Sequence, residues 1–449
     1  MDETILANLN EQQKKAVLHN EGALLVLAGP GSGKTTILTK RIIRLLQESE
    51  NEKFKILALT FTTKAANEMK ERLEASLEND VRRAFIGTFH SFCSDVLKKY
   101  GSYIGLNNEF TIYERESDYV HLLIEAIKEE IADGNSENKE LIGVFSDEQV
   151  LRSNADQLYA SISKLKSRLI SPENVKDLRI ENQKEIGVVY KLYNNKLRAN
   201  NAVDFADLLF LTHQLFTQKP FISKQYRNNF KYLLIDEAQD TNKAQFELIQ
   251  AFCGEDYKNL FIVADEDQLI YEWNDARFEY LLQFVKNQQA GILQMFENYR
   301  CPKDILTVAN RLISININRF SQKQGLHANK HDDNSITLKN FQTPEIEAYE
   351  VVKEILKIQN YNETCIIARN KYTLSSFEKE LKKNNIPYHI AKNEERFSSL
   401  EVQALINILQ ATFNEEDKLH INQLNVFFKL SSDNISLETD NGTYFMRFI

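Results

Sequence analysis

The length, composition and charge of the chain exclude several classes of protein. At 449 residues it is too long for one hydrophobic core, so two or three domains are expected. No stretch approaches the ~18 apolar residues of a membrane span, and the N-terminus, MDETILANLNEQQ, lacks the basic and apolar parts of a secretion signal, so a cytoplasmic location is expected. A net charge of -9 excludes a generally basic protein that coats nucleic acid, so any nucleic-acid site must be a local groove.

The clearest feature near the N-terminus is a predicted phosphate-binding turn. Residues 23–36, ALLVLAGPGSGKTT, place an apolar strand, a glycine-rich turn and a helix start in that order. Such a turn points backbone N–H groups inward, and the helix start adds its positive end, so an anionic polyphosphate is expected there. Lys34 is expected to reach the β and γ phosphates, and the Thr35 hydroxyl to bind Mg²⁺. The predicted loop comprises Ala28, Gly29, Pro30, Gly31, Ser32, Gly33, Lys34, Thr35 and Thr36, with Ala28 in place of the usual first glycine.

Gln13 lies on a helix that leads into this strand. Its amide can donate and accept a hydrogen bond together, which matches the edge of adenine. A surface glutamine is about as good an interpretation.

Strand, turn and helix recur at residues 55–77 and 85–99, and this alternation predicts a parallel α/β sheet. The turns carry Phe61 and Phe89, whose rings could face bases, and residues 87–91 offer hydroxyl and backbone N–H groups to phosphates. Burial in the core is an equal alternative for both rings.

Between about residues 107 and 200 the pattern changes to long, charge-rich helices with almost no strand signal, which predicts an inserted helical domain. Its basic run, Lys164, Lys166 and Arg168, could touch a nucleic-acid backbone. A solvated helix face is the commoner meaning of such a run.

Two later strands end in residues that are suited to hydrolysis. Residues 231–240, KYLLIDEAQD, predict Asp236 as a ligand of the Mg²⁺ hydration shell and Glu237 as the base that orients the attacking water. Residues 260–276 form a second apolar strand, followed by Gln268, which is placed to contact the γ phosphate. Beyond it, Tyr271 and the single tryptophan, Trp273, could stack on bases, with a buried tryptophan as the alternative.

Eight segments in succession resemble the motifs of the UvrD/Rep/PcrA-type superfamily 1 DNA helicases. They are LNEQQ, AGPGSGKTT, LTFTTKAANEMKERL, GTFHSF, VDFADLL, LLIDEAQDTN, VADEDQLIYEW and ENYRCPKDIL. The resemblance implies a P-loop NTPase with two RecA-like parallel sheets and ATP with Mg²⁺ in the cleft between them. It further implies a motor that moves 3′ to 5′ on single-stranded DNA, or on a duplex with a single-stranded tail.

The resemblance repeats the roles given above to the phosphate loop and the two carboxylates, and it adds others. It implies that Gln239 joins Gln268 at the γ phosphate, that Tyr299 stacks on adenine and that Arg300 is an arginine finger. Arg300 follows a strand predicted over residues 292–296, and this position by itself suits an arginine that stabilises the transition state when a cleft closes. Without the surrounding ENYR motif, a plain surface arginine would be the preferred interpretation. The positions that correspond to DNA contacts in the family are Phe61, Thr88, His90, Phe205, Tyr271 and Trp273.

The domains expected on this basis are a first RecA-like lobe (1–106 and 201–284), the inserted helical domain (107–200), a second lobe (285–414) and a C-terminal tail (415–449). Strands of the second lobe are expected at 335–340, 363–368 and 388–391, and the ERF at 395–397 resembles a family signature. No T-x-H-x-x-K-G-L-E or Y-V-x-x-T-R-A segment follows, so we expect the second lobe to be incomplete. An open sheet edge then needs a partner chain or the tail to cover it, unless the chain is a shortened product.

Two functions remain open at this point. The first is a DNA-dependent ATPase and helicase, and the alternative is a nucleotide-gated DNA-binding or regulatory subunit that hydrolyses ATP weakly without a partner. Asn274 and Asp275 replace the Arg and Gly that commonly follow the tryptophan in the family, which predicts a lost positive contact, an added negative one and a weaker grip on DNA.

Overall fold

The computed structural model describes residues 3–49, 54–77, 80–133, 138, 142–320, 323–330, 336–390, 399–413 and 418–428. The chain divides into two compact units, one comprising Met1–Asp333 and Asn414–Leu419, the other Asn334–Phe413 and His420–Ile449. Among the described residues, no helix combines the length and apolar character that a membrane crossing requires.

A parallel sheet forms the centre of the first unit. The strands of the chain are β1 (Leu24–Ala28), β2 (Lys55–Thr60), β3 (Ala84–Thr88), β4 (Thr111–Tyr113), β5 (Ala202–Asp204), β6 (Phe230–Ile235), β7 (Leu260–Ala264), β8 (Gly291–Met295), β9 (Glu297–Pro302) and β10 (His327–Lys330). Six of them form the sheet in the order β3-β2-β6-β7-β1-β8, and every pairing in it is parallel. The α/β fold predicted from the sequence is therefore confirmed.

Helices cover both faces of this sheet. The helices of the chain are α1 (Glu3–Leu6), α2 (Glu11–Leu18), α3 (Lys34–Gln47), α4 (Thr63–Glu74), α5 (Phe89–Tyr100), α6 (Glu116–Ala132), α7 (Glu148–Ser167), α8 (Gln183–Ala199), α9 (Phe205–Gln218), α10 (Pro220–Asn229), α11 (Lys243–Cys253), α12 (Phe278–Gln288), α13 (Lys303–Ile313), α14 (Pro344–Ile358), α15 (Lys371–Lys383), α16 (Leu400–Phe413) and α17 (Lys418–Phe427). Helices α2, α3 and α4 pack on one face, and α5, α9, α11 and α12 on the other. Because both faces are covered, β1 is buried along its whole length and consists of apolar residues, LLVLA.

The register of the sheet brings the predicted site residues to one edge. Leu25 and Ile235 both pair with Ile262, so the carboxyl ends of β1, β6 and β7 lie side by side. These three strand ends are followed directly by the phosphate loop, by Asp236 with Glu237, and by the turn that carries Gln268. In open parallel sheets this edge is where ligands bind.

The inserted segment is helical, as the sequence predicts. The chain leaves the main sheet at β4 and returns at β5, and these two short strands pair in parallel. Helices α6, α7 and α8 lie between them and share a core that includes the fully buried Tyr113, Tyr190 and Tyr193.

Strand β8 lies beyond the lobe boundary that the sequence suggests at residue 285, but it joins the first sheet. It pairs with β1 from Leu24–Gly291 to Ala28–Met295. After β8 the chain forms a separate parallel pair, β9 with β10, joined by α13.

In the second unit, the three predicted strands are wrong for the residues that the structure describes. Residues 336–340, 363–368 and 388–390 are not in strands, and Leu338 and Ile367 are 95% and 89% exposed. An isolated extended segment has no ladder of hydrogen bonds to stabilise it. Helices α14 and α15 instead pack through Val352, Ile355 and Leu381. The ERF signature at 395–397 and tail residues 415–417 and 429–449 lie outside the described residues.

Candidate nucleotide and DNA site

The phosphate loop adopts the tight conformation that its glycines allow. Gly31 and Gly33 have φ angles of 69° and 91°, in the left-handed region that other residues rarely occupy. A Cβ at Gly31 would lie 2.6 Å from the Cβ of Arg300, and a Cβ at Gly33 would lie 2.7 Å from Nε2 of Gln13. Backbone conformation therefore favours glycine at both positions, and at Gly31 the close approach of the Arg300 Cβ excludes a side chain as well.

Lys34 and Glu237, predicted as phosphate ligand and base, face each other across the sheet edge. Lys34 Nζ donates to Glu237 Oε2 at 2.9 Å. Glu237 has a φ of 50°, which is uncommon for glutamate and is found most often at functional positions. The pair shows that the two side chains belong to one site, although they lie 203 residues apart in the chain.

The neighbouring carboxylates are held in an environment that favours their neutral forms. Burial, and secondly the charge of Glu237, raises the pKa of Asp236 to about 7. The same two causes raise the pKa of Asp240 to about 7, and its Oδ1 is buried without a hydrogen-bond partner. Buried carboxylates are stabilised in their charged forms by a nearby cation. This donor set therefore fits a divalent metal ion.

A chain of hydrogen bonds extends this site to the two predicted γ-phosphate residues. Gln239 Nε2 donates to Glu237 Oε2 at 2.9 Å, and its Oε1 accepts from the backbone N–H of Asp265 at 2.9 Å. Gln268 Nε2 donates to Asp265 Oδ2 at 2.6 Å. Lys34, Glu237, Gln239, Asp265 and Gln268 thus form one network.

Lys323 closes this network at its far end, and sequence reasoning missed it. Its Nζ lies 2.6 Å from Asp265 Oδ1, 2.9 Å from Glu266 Oε2 and 2.8 Å from Asp267 Oδ2. Burial alone lowers the pKa of Lys323, but the charges of Asp265 and Glu266 outweigh it, so that the pKa is raised. Arg319 adds a contact to Asp267 at 2.9 Å. Because Lys323 lies in no recognised motif, only three-dimensional proximity reveals it.

Asn298 is a second residue without a predicted role, although it lies within the quoted ENYR motif. It is fully buried, and its Nδ2 donates to the carbonyl oxygen of Pro30 at 2.5 Å. Its Oδ1 accepts from the backbone N–H groups of Arg300 and Cys301 at 2.9 and 2.7 Å. The backbone N–H of Tyr299 also donates to Gly31 O at 2.9 Å. These bonds fix the ENYR segment against the phosphate loop.

The structure gives the Gln13 amide two partners within the protein. Its Nε2 donates to Ser32 O at 2.9 Å, and its Oε1 accepts from the backbone N–H of Asn10 at 3.0 Å in the cap of α2. Gln13 is buried, so the surface alternative is wrong. Asn10 Nδ2 in turn donates to Tyr299 Oη at 2.8 Å. Gln13 and Tyr299, both predicted at adenine, therefore lie on the same side of the phosphate loop, and their contact with adenine stays a prediction.

The predicted DNA residues form two aromatic groups beside the sheet edge. The rings of His90 and Phe205 stack with centroids 3.7 Å apart. Phe61 lies 5.0 Å from Tyr271, which lies 5.8 Å from Trp273.

Exposure separates the rings that can reach a ligand from those that cannot. Trp273 is 76% exposed and Phe205 42%, so the alternative of a buried tryptophan is wrong. Phe89 is 3% exposed, so its core interpretation is correct. Burial lowers the pKa of His90 to about 4, and its ring is therefore neutral at pH 7. Thr88 uses its hydroxyl to cap α5, where it accepts from Ser91 N at 3.2 Å.

Two residues of the predicted basic run, Lys166 and Arg168, have partners within the protein, and the partner of Arg168 is Asp275. Lys164 is exposed, and its contact with a nucleic-acid backbone stays a prediction. Lys166 is fully buried and forms ion pairs with Asp204 at 2.7 Å and Asp207 at 2.8 Å, so it faces neither solvent nor nucleic acid. Arg168 Nη2 donates to Asp275 Oδ1 at 2.9 Å. Because Asp275 is buried and neutralised in this way, it adds no exposed negative charge near Trp273.

Comparison with known proteins identifies the family. Residues 9–289 match the UvrD/REP helicase N-terminal domain, and residues 293–440 match the UvrD-like helicase C-terminal domain. The chain is 34% identical over 426 residues to the ATP-dependent DNA helicase PcrA of Staphylococcus epidermidis, which covers 94% of this chain and 56% of the relative. Its identity to PcrA of Staphylococcus aureus is 33% over 427 residues, with the same coverage. The chain thus spans a little over half the length of these curated relatives. With this geometry and these matches, the chain belongs to the UvrD/REP helicase family.

Proposed function

We propose that this chain is an ATP-dependent DNA helicase or translocase, in which ATP hydrolysis drives movement along single-stranded DNA from 3′ to 5′. The observation that carries the proposal is the network that joins Lys34, through Glu237 and Gln239, to Asp265 and Gln268. The Gln268 turn runs on into Tyr271 and Trp273. The segment from Asp265 to Trp273 therefore begins in the hydrogen-bond network at the phosphate loop and ends in the aromatic group of Phe61, Tyr271 and Trp273.

The residues around the phosphate loop suit ATP with Mg²⁺. Thr35 and Asp236 would hold the metal ion, and Asp240, with its unpartnered buried oxygen, would lie close to it. When bound, Mg²⁺ neutralises charge on the β and γ phosphates. Lys34 binds phosphate once it leaves Glu237, and this departure frees the Glu237 carboxylate to orient water and accept its proton.

Three further residues would complete the nucleotide site. Tyr299, with an exposed ring beside Asn10, would stack on adenine. Gln268 would contact the γ phosphate from the end of β7. Arg300, whose Cβ lies against Gly31, would stabilise the charge that develops in the transition state.

Single-stranded DNA would run past the two aromatic groups. Trp273 and Phe205 offer exposed ring faces, and stacking on such faces tolerates any base sequence. Sequence tolerance suits a motor that must move along unspecified DNA. Because the net charge is -9, basic contacts to the DNA backbone would be confined to a local groove.

The test is ATP turnover measured against the concentration of oligo(dT). We expect turnover to rise with DNA, to disappear in Lys34→Ala and Glu237→Gln, and to need more DNA in Trp273→Ala while its DNA-free rate is unchanged. Displacement of streptavidin from the 5′ but not the 3′ end of a biotinylated strand would support the polarity. Turnover that ignores DNA in the wild-type chain would refute the proposal.

One observation favours the alternative of a nucleotide-gated subunit. Among described residues 336–428 there is no strand, so a second parallel sheet is not formed there. A chain of this kind would bind ATP and DNA but hydrolyse ATP slowly until a protein partner supplied the second wall of the cleft. Slow multiple-turnover hydrolysis that a second protein accelerates would favour this function over the autonomous motor.

A further inference from the structure

The turn that carries Trp273 ends in an unusual residue. Residues Glu272–Asn274 form a single 3-10 turn, which Asp275 closes with a φ of 66° and a hydrogen bond from its N–H to Glu272 O at 3.0 Å. This left-handed conformation is natural for glycine, and aspartate is one of the few other residues that adopt it. The side chain of Asp275 also contributes contacts that a glycine could not make.

That contribution is a link to the inserted helical domain. Asp275 Oδ1 accepts from Arg168 Nη2 at 2.9 Å and from Arg277 Nη2 at 3.0 Å. Burial alone would raise the pKa of Asp275, but the hydrogen bonds from Arg168 and Arg277 outweigh it and lower the pKa. The carboxylate is therefore charged at neutral pH. Arg277 belongs to the same segment, whereas Arg168 lies 107 residues earlier in the chain, at the end of α7.

Arg168 follows the end of α7, which a buried ion pair holds to α9. Two residues before it, Lys166 is fully buried between Asp204 and Asp207. Asp204 also caps α9, whose first residue is Phe205, the ring that stacks on His90. The end of α7 is therefore linked indirectly to both aromatic groups, through Lys166 to the group of His90 and Phe205 and through Arg168 to the group of Trp273.

An exposed ring depends on its backbone for orientation. Trp273 is 76% exposed, and its nearest aromatic neighbour, Tyr271, lies 5.8 Å away at an angle of 51°. Stacking on a base requires the ring to be held in place before the base arrives. The backbone of the turn sets the position of Trp273, and Asp275 fixes that turn to α7.

We propose that Arg168 is a positioning residue for single-stranded DNA binding: through Asp275 it holds the turn that presents Trp273 to a base. The inference rests on the proposed function, because it takes Trp273 to be a DNA contact. It assigns Arg168 a structural link between the inserted domain and the DNA-binding turn, in place of a contact with phosphate.

Arg277 provides a matched control. Arg168→Ala and Arg277→Ala each remove one positive charge and one hydrogen bond from the same Asp275 oxygen, but only Arg168→Ala breaks the link to α7. We expect Arg168→Ala to raise the Kd for oligo(dT) about fivefold, the effect of one partly buried charged hydrogen bond, and Arg277→Ala to raise it less than about twofold. Arg168→Lys should recover most of the affinity.

Two further measurements distinguish positioning from direct contact and from general damage. Salt dependence of the Kd should keep its slope in Arg168→Ala, whereas loss of a direct phosphate contact lowers that slope by about one. Because Trp273 is the single tryptophan, the anisotropy of its emission without DNA should decrease in Arg168→Ala, where the turn is released from α7, and not in Arg277→Ala. Unchanged DNA-free ATP turnover would show that the variant is folded.

The outcomes separate this inference from the proposed function. If Trp273→Ala weakens DNA binding but Arg168→Ala matches Arg277→Ala in Kd and emission anisotropy, the positioning role is refuted and the proposed function stands. A reduced salt slope in Arg168→Ala also refutes it, since Arg168 would then bind phosphate itself. If the wild-type chain does not bind oligo(dT), both the proposed function and the inference fail.

Discussion

Replacing Lys323 by methionine tests the nucleotide network at its least expected member. Its ammonium group lies within 2.9 Å of carboxylate oxygens of Asp265, Glu266 and Asp267, and the side chains on both sides are almost completely buried. Removing one partner of a buried ion pair leaves uncompensated charge and costs about 3–5 kcal/mol of unfolding free energy. That is a large share of the roughly 5–15 kcal/mol that stabilises a typical domain.

The pH dependence of this loss follows from its cause. Without Lys323 the three buried carboxylates repel one another, so their pKa values in the folded variant rise above those of the unfolded chain. Protonation then favours the folded variant as the pH falls toward those raised values. The loss of stability in Lys323→Met should therefore be larger at pH 8 than at pH 5.5.

The assay is urea unfolding followed by circular dichroism at both pH values. Lys14→Met is the control, because Lys14 pairs with Glu11 at 3.0 Å but both side chains are exposed, so its loss should cost less than about 1 kcal/mol at either pH. ATP turnover should also fall in Lys323→Met, since Asp265 orients Gln268. A loss no larger than that of Lys14→Met, or one that does not shrink at low pH, would refute this reasoning.

Three other predictions follow from the same geometry. Asn298→Ala removes the partner of the partly buried carbonyl oxygen of Pro30, at a cost of about 1–3 kcal/mol, and should raise the KM for ATP about tenfold in steady-state kinetics; an unchanged KM contradicts it. Gly31→Ala places a Cβ 2.6 Å from that of Arg300 at a φ of 69°, so calorimetry should show nucleotide binding largely lost, and near-normal affinity would be the contrary result. Burial lowers the pKa of His90 to about 4, against an ordinary 6.5, so on acidification the unfolded chain takes up this proton before the folded chain does. The free energy of unfolding should therefore be unaffected by His90 above pH 6.5 and fall by about 3 kcal/mol toward pH 4, and unfolding titrations of His90→Gln should lack this loss.

The sequence predicts the first lobe well because local patterns and tertiary structure agree there. The strand before the phosphate loop is apolar throughout, as a strand covered on both faces must be, and two glycines of the loop, Gly31 and Gly33, occur where the backbone is left-handed. Asp236, Glu237 and Gln268 follow strand ends, and parallel strands bring such ends together whatever their separation in the chain.

What the sequence does not predict depends on pairings between distant segments. The apolar pattern of β8 indicates a strand but not its partner, so its pairing with β1 is not predicted. Lys166 looks like part of a solvated basic face because the two carboxylates that bury it lie about forty residues later. The strands predicted in the second unit are wrong for the same reason, because apolar segments such as residues 363–368 form strands only where neighbouring strands complete a ladder of hydrogen bonds.

The most direct test of the central claim measures whether the nucleotide and DNA sites influence each other. The emission of Trp273 reports oligo(dT) binding with and without a non-hydrolysable ATP analogue. Coupling through the Lys34 to Gln268 network predicts that the analogue changes the Kd for DNA at least fivefold in the wild-type chain and leaves it unchanged in Lys34→Ala. The same Kd with and without the analogue in the wild-type chain would contradict the account.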